Sequence, residues 1–377
     1  MTESNQKEVQ PKSFEDLIRE VHNVGICGEC GGCVSFCSAA DLGAIKMSED
    51  GPPVYANKDN CLKCGICYLI CPETHELNTE LNEKYHFSPP IGQRLNITSA
   101  QATDPEIKKV GTDGGVVTSI LLAMLEDHLI DGALVSKPVS AFRREPFLAT
   151  TKEELIEAAG TKFDLKGVTS GLGKYSTFVP SISKLKKILS KDLMNIAVVG
   201  VPCQIHSIRK MQELSILPAH IVKYTLGLFC FENFKFDEEA RKKMEDRFNF
   251  SFDDIENMNI KDYVIIKLKN KKEPLYIDFS ELEDIMRSAC GVCENFSNYY
   301  SDISFGGLGS HDGYTTCIIR TDKGSKIYRL AKKKGLIREP EELNNSVEKS
   351  KMLAKIISFS RRKSQRAEET AKKLPTT

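Results

Sequence analysis

The residues best suited to chemistry are thirteen cysteines, most of which fall into clusters along the 377-residue chain. Eight of them form two runs with one spacing, Cys27-x2-Cys30-x2-Cys33-x3-Cys37 and Cys61-x2-Cys64-x2-Cys67-x3-Cys71. Three thiolates spaced at i, i+3 and i+6 wrap a loop around three corners of a cubane cluster, and the fourth reaches across to the other cluster. This pattern predicts one [4Fe-4S] cluster held by Cys27, Cys30, Cys33 and Cys71, and a second held by Cys61, Cys64, Cys67 and Cys37. A pair of zinc knuckles is the alternative, but zinc usually takes two CxxC pairs, so the doubled run favours iron–sulfur.

Four more cysteines lie at positions that a folded sheet can bring together. Cys203 follows the predicted strand Ile196–Gly200 at the start of a predicted helix, and Cys230 ends a β-rich run that begins at Ile221. The pair Cys290-x2-Cys293 follows a short helical segment. From spacing alone, a zinc site and a [4Fe-4S] site are equally plausible here, and unpaired core thiols are a third option. Cys317, in the strand-like segment TTCIIR, is interpreted as a core thiol.

Composition narrows the class of protein. Lys+Arg and Asp+Glu are 52 each, so no global charge points to nucleic acid or to a membrane surface. The N-terminal segment has no basic and apolar leader pattern, and the longest apolar run, residues 116–125, is far short of a membrane span. Clustered thiols without a leader indicate a reduced, cytoplasmic compartment and metal or redox chemistry.

The elements that must position these groups alternate between strand and helix. A glycine-rich turn, Gly111-Thr112-Asp113-Gly114-Gly115, feeds a predicted helix over residues 116–130, and residues 132–136 are a predicted strand. Such a turn suits a phosphate at a helix N-terminus, but by itself it is weak evidence, and the turn alone favours Asp113 as a simple helix cap. The alternation over residues 110–230 predicts an α/β core, residues 262–279 a hairpin, and the whole chain a mixed α/β class.

A family resemblance rests on six segments taken in order. They are GTDGGVVTSILLAMLEDHLIDGALV from Gly111, AAGTKFD from Ala158, VVGVPCQIHSIRK from Val198, LFC from Leu228, RSACGVC from Arg287 and DISFGGLGSHDGYTT from Asp302. Together they resemble the coenzyme F420 hydrogenase/dehydrogenase beta-subunit family over about residues 90–325. The N-terminal two-cluster ferredoxin pattern is similar to the input subunit of F420H2 dehydrogenase and to the formate dehydrogenase beta subunit.

The resemblance implies particular cofactors and site residues. It implies one FAD and a third [4Fe-4S] cluster on Cys203, Cys230, Cys290 and Cys293. It assigns the FAD phosphates to Gly111, Thr112, Asp113, Gly114, Gly115 and Thr118. Candidate flavin-pocket loops are Gly160, Thr161 and Lys162, and Ser304, Gly306, Gly307, Gly309 and Ser310. Lys162 is a candidate partner of the reduced flavin or an exposed lysine paired with Asp164. Candidates for binding the anionic tail of the deazaflavin are Arg143, Arg144, Lys166 and Lys174, each also explicable as a surface residue.

The function implied is hydride exchange between coenzyme F420 and FAD, with single electrons relayed through three [4Fe-4S] clusters. The expected partner is a hydrogenase, formate dehydrogenase, membrane dehydrogenase or heterodisulfide reductase subunit. No nucleic acid and no transmembrane segment is expected, although docking on a membrane complex is compatible. Two alternatives stay open: a flavin reductase on the same scaffold that uses ferredoxin to reduce another organic molecule, and a non-catalytic iron–sulfur electron-transfer subunit.

Four regions are expected along the chain. They are an N-terminal arm (1–22), a dicluster ferredoxin domain (23–85), a flavin and cluster domain (86–325) and a basic helical extension (326–377). Residues 322–377 carry a net charge of +9, with 16 basic against 7 acidic side chains. The final helix is interpreted as packed on the body with a solvated face, or as a docking arm for an acidic partner.

Overall fold

The computed structural model describes residues 11–140, 143–160, 164–176 and 193–374. Its strands are β1 (Ile45–Lys46), β2 (Val54–Tyr55), β3 (Asn96–Ala102), β4 (Gly132–Ser140), β5 (Arg143–Ala149), β6 (Ile196–Gly200), β7 (Val222–Leu228), β8 (Ile255–Ile260), β9 (Val264–Leu268), β10 (Leu275–Ile277), β11 (Ile303–Gly306), β12 (Thr315–Ile319) and β13 (Ile337–Arg338). Its α-helices are α1 (Phe14–Leu17), α2 (Gly32–Ala39), α3 (Ile66–Leu69), α4 (Asn78–Lys84), α5 (Pro105–Val110), α6 (Val116–Glu126), α7 (Lys152–Glu157), α8 (Leu172–Ser176), α9 (Pro202–Glu213), α10 (Glu238–Phe248), α11 (Ser288–Val292), α12 (Asp322–Lys333) and α13 (Ser346–Ala371).

The central element is an eight-stranded mixed sheet in the order β13-β3-β12-β11-β7-β6-β4-β5. Strands β4, β6, β7 and β11 are parallel to one another, and antiparallel strands flank them on both sides. Neighbouring residues on a strand serve opposite faces: Ala133 packs with α6 and α12, whereas Leu134 packs with α9. Apolar residues on both faces explain why these strands are continuous hydrophobic runs, and the predicted mixed α/β class is confirmed.

The cysteine-rich N-terminal part forms a small module around the hairpin β1–β2. In it Ile45 pairs with Tyr55 and Lys46 with Val54. Phe14, Leu17 and Val21, which belong to the expected N-terminal arm, are buried together with the cysteine-bearing helices α2 and α3. These arm residues therefore contribute to the core of the cysteine-rich N-terminal module.

The predicted hairpin at residues 262–279 is present as β9 and β10, and β8 adds a third antiparallel strand that the sequence pattern did not reveal. Helix α13 packs on this region through Met352, Ile356 and Phe359. The expected boundary at 325/326 falls inside α12, and β13 pairs with β3 of the main sheet. Across the described ranges, no helix combines the length and apolar character that crossing a membrane requires.

Candidate functional site

The principal cavity, called the central pocket below, has a volume of about 200 Å³ and lies at the carboxyl ends of β4, β6, β7 and β11. Val135, Val199, Leu228 and Phe305 come from these four strands and form part of its wall. Ligands of open parallel sheets bind at this edge, because the loops that follow the strands converge there. The position therefore suits a bound cofactor.

The glycine-rich turn supplies one side of this pocket. Gly111 ends α5, and Gly115, in a left-handed conformation with φ of 70°, precedes α6, whose first residues line the pocket. Of the predicted cofactor residues, those that line the pocket are Gly111, Thr112, Asp113, Gly115, Thr118, Gly160, Gly306 and Gly307. Thr161 and Lys162 lie outside the described residues.

Four further predicted residues lie behind or beside the wall of the central pocket. Gly114 packs on β3 and donates its backbone N–H to Thr315 Oγ1 at 2.9 Å. Ser304 is fully buried and accepts a hydrogen bond of 2.6 Å from Arg320 Nε. Gly309 lies against Met352 of α13, and the Ser310 hydroxyl is 2.6 Å from Thr316 Oγ1. These contacts support the loops around the pocket without reaching its surface.

Several pocket residues carry buried polar atoms that have no hydrogen-bond partner in the described part of the chain. They are Thr112 Oγ1, Asn259 Oδ1 and Glu232 Oε1. Because buried polar atoms are normally satisfied, such atoms on a cavity wall indicate a ligand with its own donors and acceptors. Together with the helix N-terminus and the close glycines, they fit a large, polar cofactor such as a dinucleotide.

Asp113 forms a small polar network with two residues that sequence reasoning missed. Asn259 Nδ2 donates to Asp113 Oδ1 at 2.8 Å. Lys261, which also lines the pocket, donates from Nζ to Asp312 Oδ1 at 2.5 Å. Burial raises the pKa of Asp113 to about 6, while the hydrogen bond from Asn259 and the charge of Lys261 act to lower it. Both missed residues belong to β8 or follow it directly, and that strand has no clear period-two signal.

The predicted cations have different surroundings. Arg144 lines the pocket, but its guanidinium donates to Ser136 O and to Ala158 O at 2.6 Å, and burial lowers its pKa to about 10. Lys166 contacts Glu49 O and lies 3.4 Å from Glu29 of the N-terminal module. Arg143 is exposed on β5, and Lys174 lies on α8. Lys261 is thus a pocket cation that the prediction omitted.

The eight N-terminal cysteines surround two separate small cavities. One is lined by Cys27, Cys30, Cys33 and Cys71, and the other by Cys37, Cys61, Cys64 and Cys67. This grouping matches the predicted exchange of the fourth cysteine between the runs. Across the described ranges, no three Cys, His, Asp or Glu side chains are close enough to bind a single metal ion. Cluster ligation itself remains a prediction.

Burial raises the pKa of several of these thiols. It raises the pKa of Cys27 to about 12, and it raises the pKa of Cys33 well above its ordinary value. Glu73, which lines the first cavity, has its pKa raised to about 7 by burial, and Lys210 donates to Cys71 O at 2.6 Å. A bound metal would have to displace the thiol protons. This requirement is typical of metal sites that fill while the protein folds.

The remaining four cysteines form what we call the third set. Cys203 lies in the first turn of α9, Cys230 follows β7, Cys290 lies on α11, and Cys293 follows α11 directly. Asn233 joins two of the sulfurs, donating its backbone N–H to Cys290 Sγ at 3.2 Å and its side-chain amide to Cys230 Sγ at 3.3 Å. Burial raises the pKa of Cys230 to about 12. Amide groups aimed at sulfur are typical of iron–sulfur sites. Cys317, by contrast, is fully buried on β12, as predicted for a core thiol.

The third set touches both the central pocket and the N-terminal module. Cys230 is part of the pocket wall, and Cys203 is part of the wall of the first cavity. A Cβ placed on Gly28 would lie 3.7 Å from Cys203 Cβ. The order is therefore pocket, third set, first cavity, second cavity, with Cys64 of the last exposed at the surface.

An ion pair fixes the N-terminal module to the α/β body. Glu29 lies 3.0 Å from Arg287 Nη2, and the same guanidinium donates to Gly28 O at 3.0 Å. Two backbone bonds run alongside, from Gly167 N to Glu29 O and from Thr169 N to Cys30 O. The loop of the first cysteine run is thus held directly against the segment that leads into Cys290 and Cys293.

Comparison with known proteins adds independent information. Two family models, which describe the N-terminal and the C-terminal parts of the beta subunit of "Coenzyme F420 hydrogenase/dehydrogenase", match residues 97–172 and residues 193–344, respectively. The coenzyme F420 hydrogenase subunit beta of Methanothermobacter thermautotrophicus is 31% identical over 254 residues, covering 65% of this chain and 84% of that protein.

Two further comparisons define the extent of the likeness. The coenzyme F420-dependent sulfite reductase of Methanocaldococcus jannaschii is 29% identical over 343 residues, 83% of this chain, but this chain spans only 47% of that protein. A chain of the F420-reducing [NiFe] hydrogenase complex from Methanosarcina barkeri superposes with a TM-score of 0.63 at 28% identity, covering 76% of this chain and 94% of that one.

Proposed function

The chain belongs to the coenzyme F420 hydrogenase/dehydrogenase beta-subunit family, and we propose that it is an F420-dependent oxidoreductase subunit with FAD in the central pocket and a [4Fe-4S] cluster at each cysteine set. Bound FAD would supply hydride exchange with coenzyme F420 together with single-electron transfer to the clusters, the second of which a deazaflavin alone does not support. The chain's own residues bind and orient these groups and exclude water from them.

One observation carries the proposal: the candidate cofactor sites share walls. Cys230 belongs both to the pocket and to the third set, and Cys203 belongs both to the third set and to the first cavity. A structural zinc site would have no reason to lie between a cofactor pocket and a ferredoxin-like module. The continuous arrangement instead supports electron transfer from one end of the molecule to the other.

The pocket residues have distinct binding roles in this proposal. The amide groups at the start of α6 and the ammonium of Lys261 suit the phosphates of FAD. Thr112 Oγ1 and Asn259 Oδ1 supply the unpaired polar atoms that suit its hydroxyl or ring N–H groups. Val116, Leu121 and other apolar side chains complete the wall and keep water away from the reacting ring.

We further propose that the chain works in a hetero-oligomeric complex. Cys64, which lines the second cavity, is exposed at the surface, and Leu62 beside it is 70% exposed, so this end of the molecule is open to a partner. The match covers only 47% of the sulfite reductase relative, so that protein has a large part that this chain lacks. This difference favours a second candidate role, in which this chain passes electrons to a separate protein that reduces the final acceptor.

An anaerobic assay tests the function. The iron- and flavin-loaded chain is mixed with F420H2 and an artificial one-electron acceptor, and loss of F420H2 is followed by absorbance. We expect oxidation that requires FAD, and a metal content of about twelve iron and twelve sulfide per chain. No oxidation by the flavin-loaded protein contradicts the assignment, and about eight iron with bound zinc contradicts the third cluster.

A matched pair of glycine variants locates the reaction in the central pocket. A Cβ on Gly307 would lie 2.6 Å from both carboxylate oxygens of Asp113, whereas a Cβ on Gly313 would meet nothing within 4 Å. We expect G307A to lose FAD and activity and G313A to keep both. Equal FAD content in the two variants contradicts the location.

A further inference from the structure

The C-terminal helix α13 forms the back wall of the third cysteine set. It packs on α11, which carries Cys290, so closely that a Cβ on Gly291 would lie 3.2 Å from Thr370 Cγ2. This helix lies beyond residue 344, where the family match ends, and none of its described residues lines the central pocket. Its sequence is basic, which favours the interpretation of a solvated face or a docking arm.

The inner face of α13 carries a buried lysine aimed at the third set. The Lys363 side chain is 1% exposed, and its Nζ donates to Cys230 O at 2.6 Å and to Asn295 O at 3.1 Å. One turn later, Arg366 donates to Cys290 O at 3.2 Å. The helix thus contacts the backbone of two of the three chain segments that supply the third set, those of Cys230 and Cys290.

The two cations differ in what balances their charge. Arg366 Nη1 lies 2.5 Å from Glu232 Oε2, so its charge is paired locally. Lys363 Nζ, in contrast, contacts the backbone carbonyl oxygens of Cys230 and Asn295, and no carboxylate of the described residues forms an ion pair with it. Lys363 thus brings a buried ammonium without an ion-pair partner in this part of the chain to the backbone of the third set.

Elementary electrostatics gives this arrangement a consequence. Burying an unpaired ammonium in a protein interior costs free energy, because the charge loses its hydration. A nearby anion offsets that cost. A four-thiolate iron–sulfur cluster is such an anion, and it gains one more negative charge when an electron enters. A fixed positive charge stabilises the reduced form more than the oxidised form, and cluster potentials respond to charge and burial.

We propose that Lys363 is a positioning residue of the third cluster, whose buried ammonium balances the cluster charge and raises its reduction potential. The inference rests on the proposed function, because it requires an iron–sulfur cluster on Cys203, Cys230, Cys290 and Cys293. It gives the C-terminal helix a role in electron transfer, in addition to its exposed basic face.

The test compares three lysine variants in the complete, cluster-loaded chain. K363Q removes the charge but keeps a hydrogen-bond donor, K363R keeps the charge, and K355Q removes an exposed lysine of the same helix that pairs with Asp262 at 2.6 Å. Each is titrated anaerobically with a spectroelectrochemical cell and electron paramagnetic resonance, and iron is counted. In K363Q we expect one of three reduction waves to fall by about 59 mV or more, a tenfold change in the reduced-to-oxidised ratio. K363R and K355Q should keep all three waves.

Every outcome bears on the proposal. Three unmoved waves in fully loaded K363Q overturn it, and so does an equal shift in K363R. If K363Q loses about four iron atoms, retention by K363R supports the charge role and loss by both overturns it. A parent chain with only about eight iron atoms contradicts the proposed function, and this inference fails with it. If the parent holds about twelve iron atoms and K363Q shows no shifted wave, the inference alone is contradicted.

Discussion

Replacing Gly31 with alanine should separate the N-terminal module from the α/β body, and Gly43 in the same module supplies the control. Gly31 lies between Cys30 and Cys33, has a φ of 84° and precedes α2. A Cβ there would lie 2.7 Å from Ser170 N and 2.8 Å from Ser170 Cβ. Gly43 has a φ of 58°, and a Cβ there would meet nothing within 4 Å.

The magnitude follows from two separate costs. A left-handed backbone costs alanine about 1–2 kcal/mol at either position. Only at Gly31 is there also a collision with another segment's backbone, which cannot rotate away, and overpacking of this kind costs about 1–3 kcal/mol. We therefore expect G31A to destabilise the module by about 2–5 kcal/mol and G43A by about 1–2 kcal/mol.

Two measurements check this prediction. Anaerobic denaturant unfolding compares the midpoints of both variants with the parent. Stopped-flow mixing with F420H2 then follows the flavin band and the iron–sulfur shoulder separately. Because the displaced loop includes Gly28 beside Cys203, we expect normal flavin bleaching but slower cluster bleaching in G31A. Equal stability and equal cluster bleaching in G31A and G43A refute the reasoning.

Two further predictions concern single side chains. Since burial raises the pKa of Asp113 to about 6, this carboxyl is neutral below that pH and repels phosphates above it. FAD affinity, measured by fluorescence quenching, should fall as the pH rises from about 5 to about 7 in the parent and stay level in D113N; a parallel fall in D113N contradicts this. C317A should keep about twelve iron atoms per chain, whereas C230A should lose about four, as measured by iron analysis; iron loss in C317A would assign the spare thiol to a cluster.

The parts of the site that the sequence predicted are those encoded by local spacing. The two cysteine runs fix their own grouping, because three of the four cysteines that line each cavity lie within one short loop. The position of Cys203 is predictable because a strand, a tight turn and a helix follow each other in sequence. The fold class followed from alternating strand and helix patterns, which depend on periodicity alone.

The parts that the sequence did not predict depend on contacts between distant segments. Glu29 and Arg287 are separated by more than 250 positions, and neither carries a motif that indicates its partner. Asn259 lies on a strand whose polar, half-exposed residues show no alternation. Lys363 follows Arg361 and Arg362, and a stretch of three cations predicts side chains exposed to solvent. The packing of α13 instead buries the Lys363 side chain.

The contact between Gly28 and Cys203 also determines the reaction order of internal electron transfer. Since both residues belong to one chain and Arg287 holds the Gly28 loop on the α/β body, the transfer that we propose between the third set and the first cavity does not require an encounter in solution. Its rate should be unimolecular, unaffected by dilution of the protein, by viscosity or by added salt. A freely diffusing ferredoxin would show the opposite behaviour, because each transfer would await a collision.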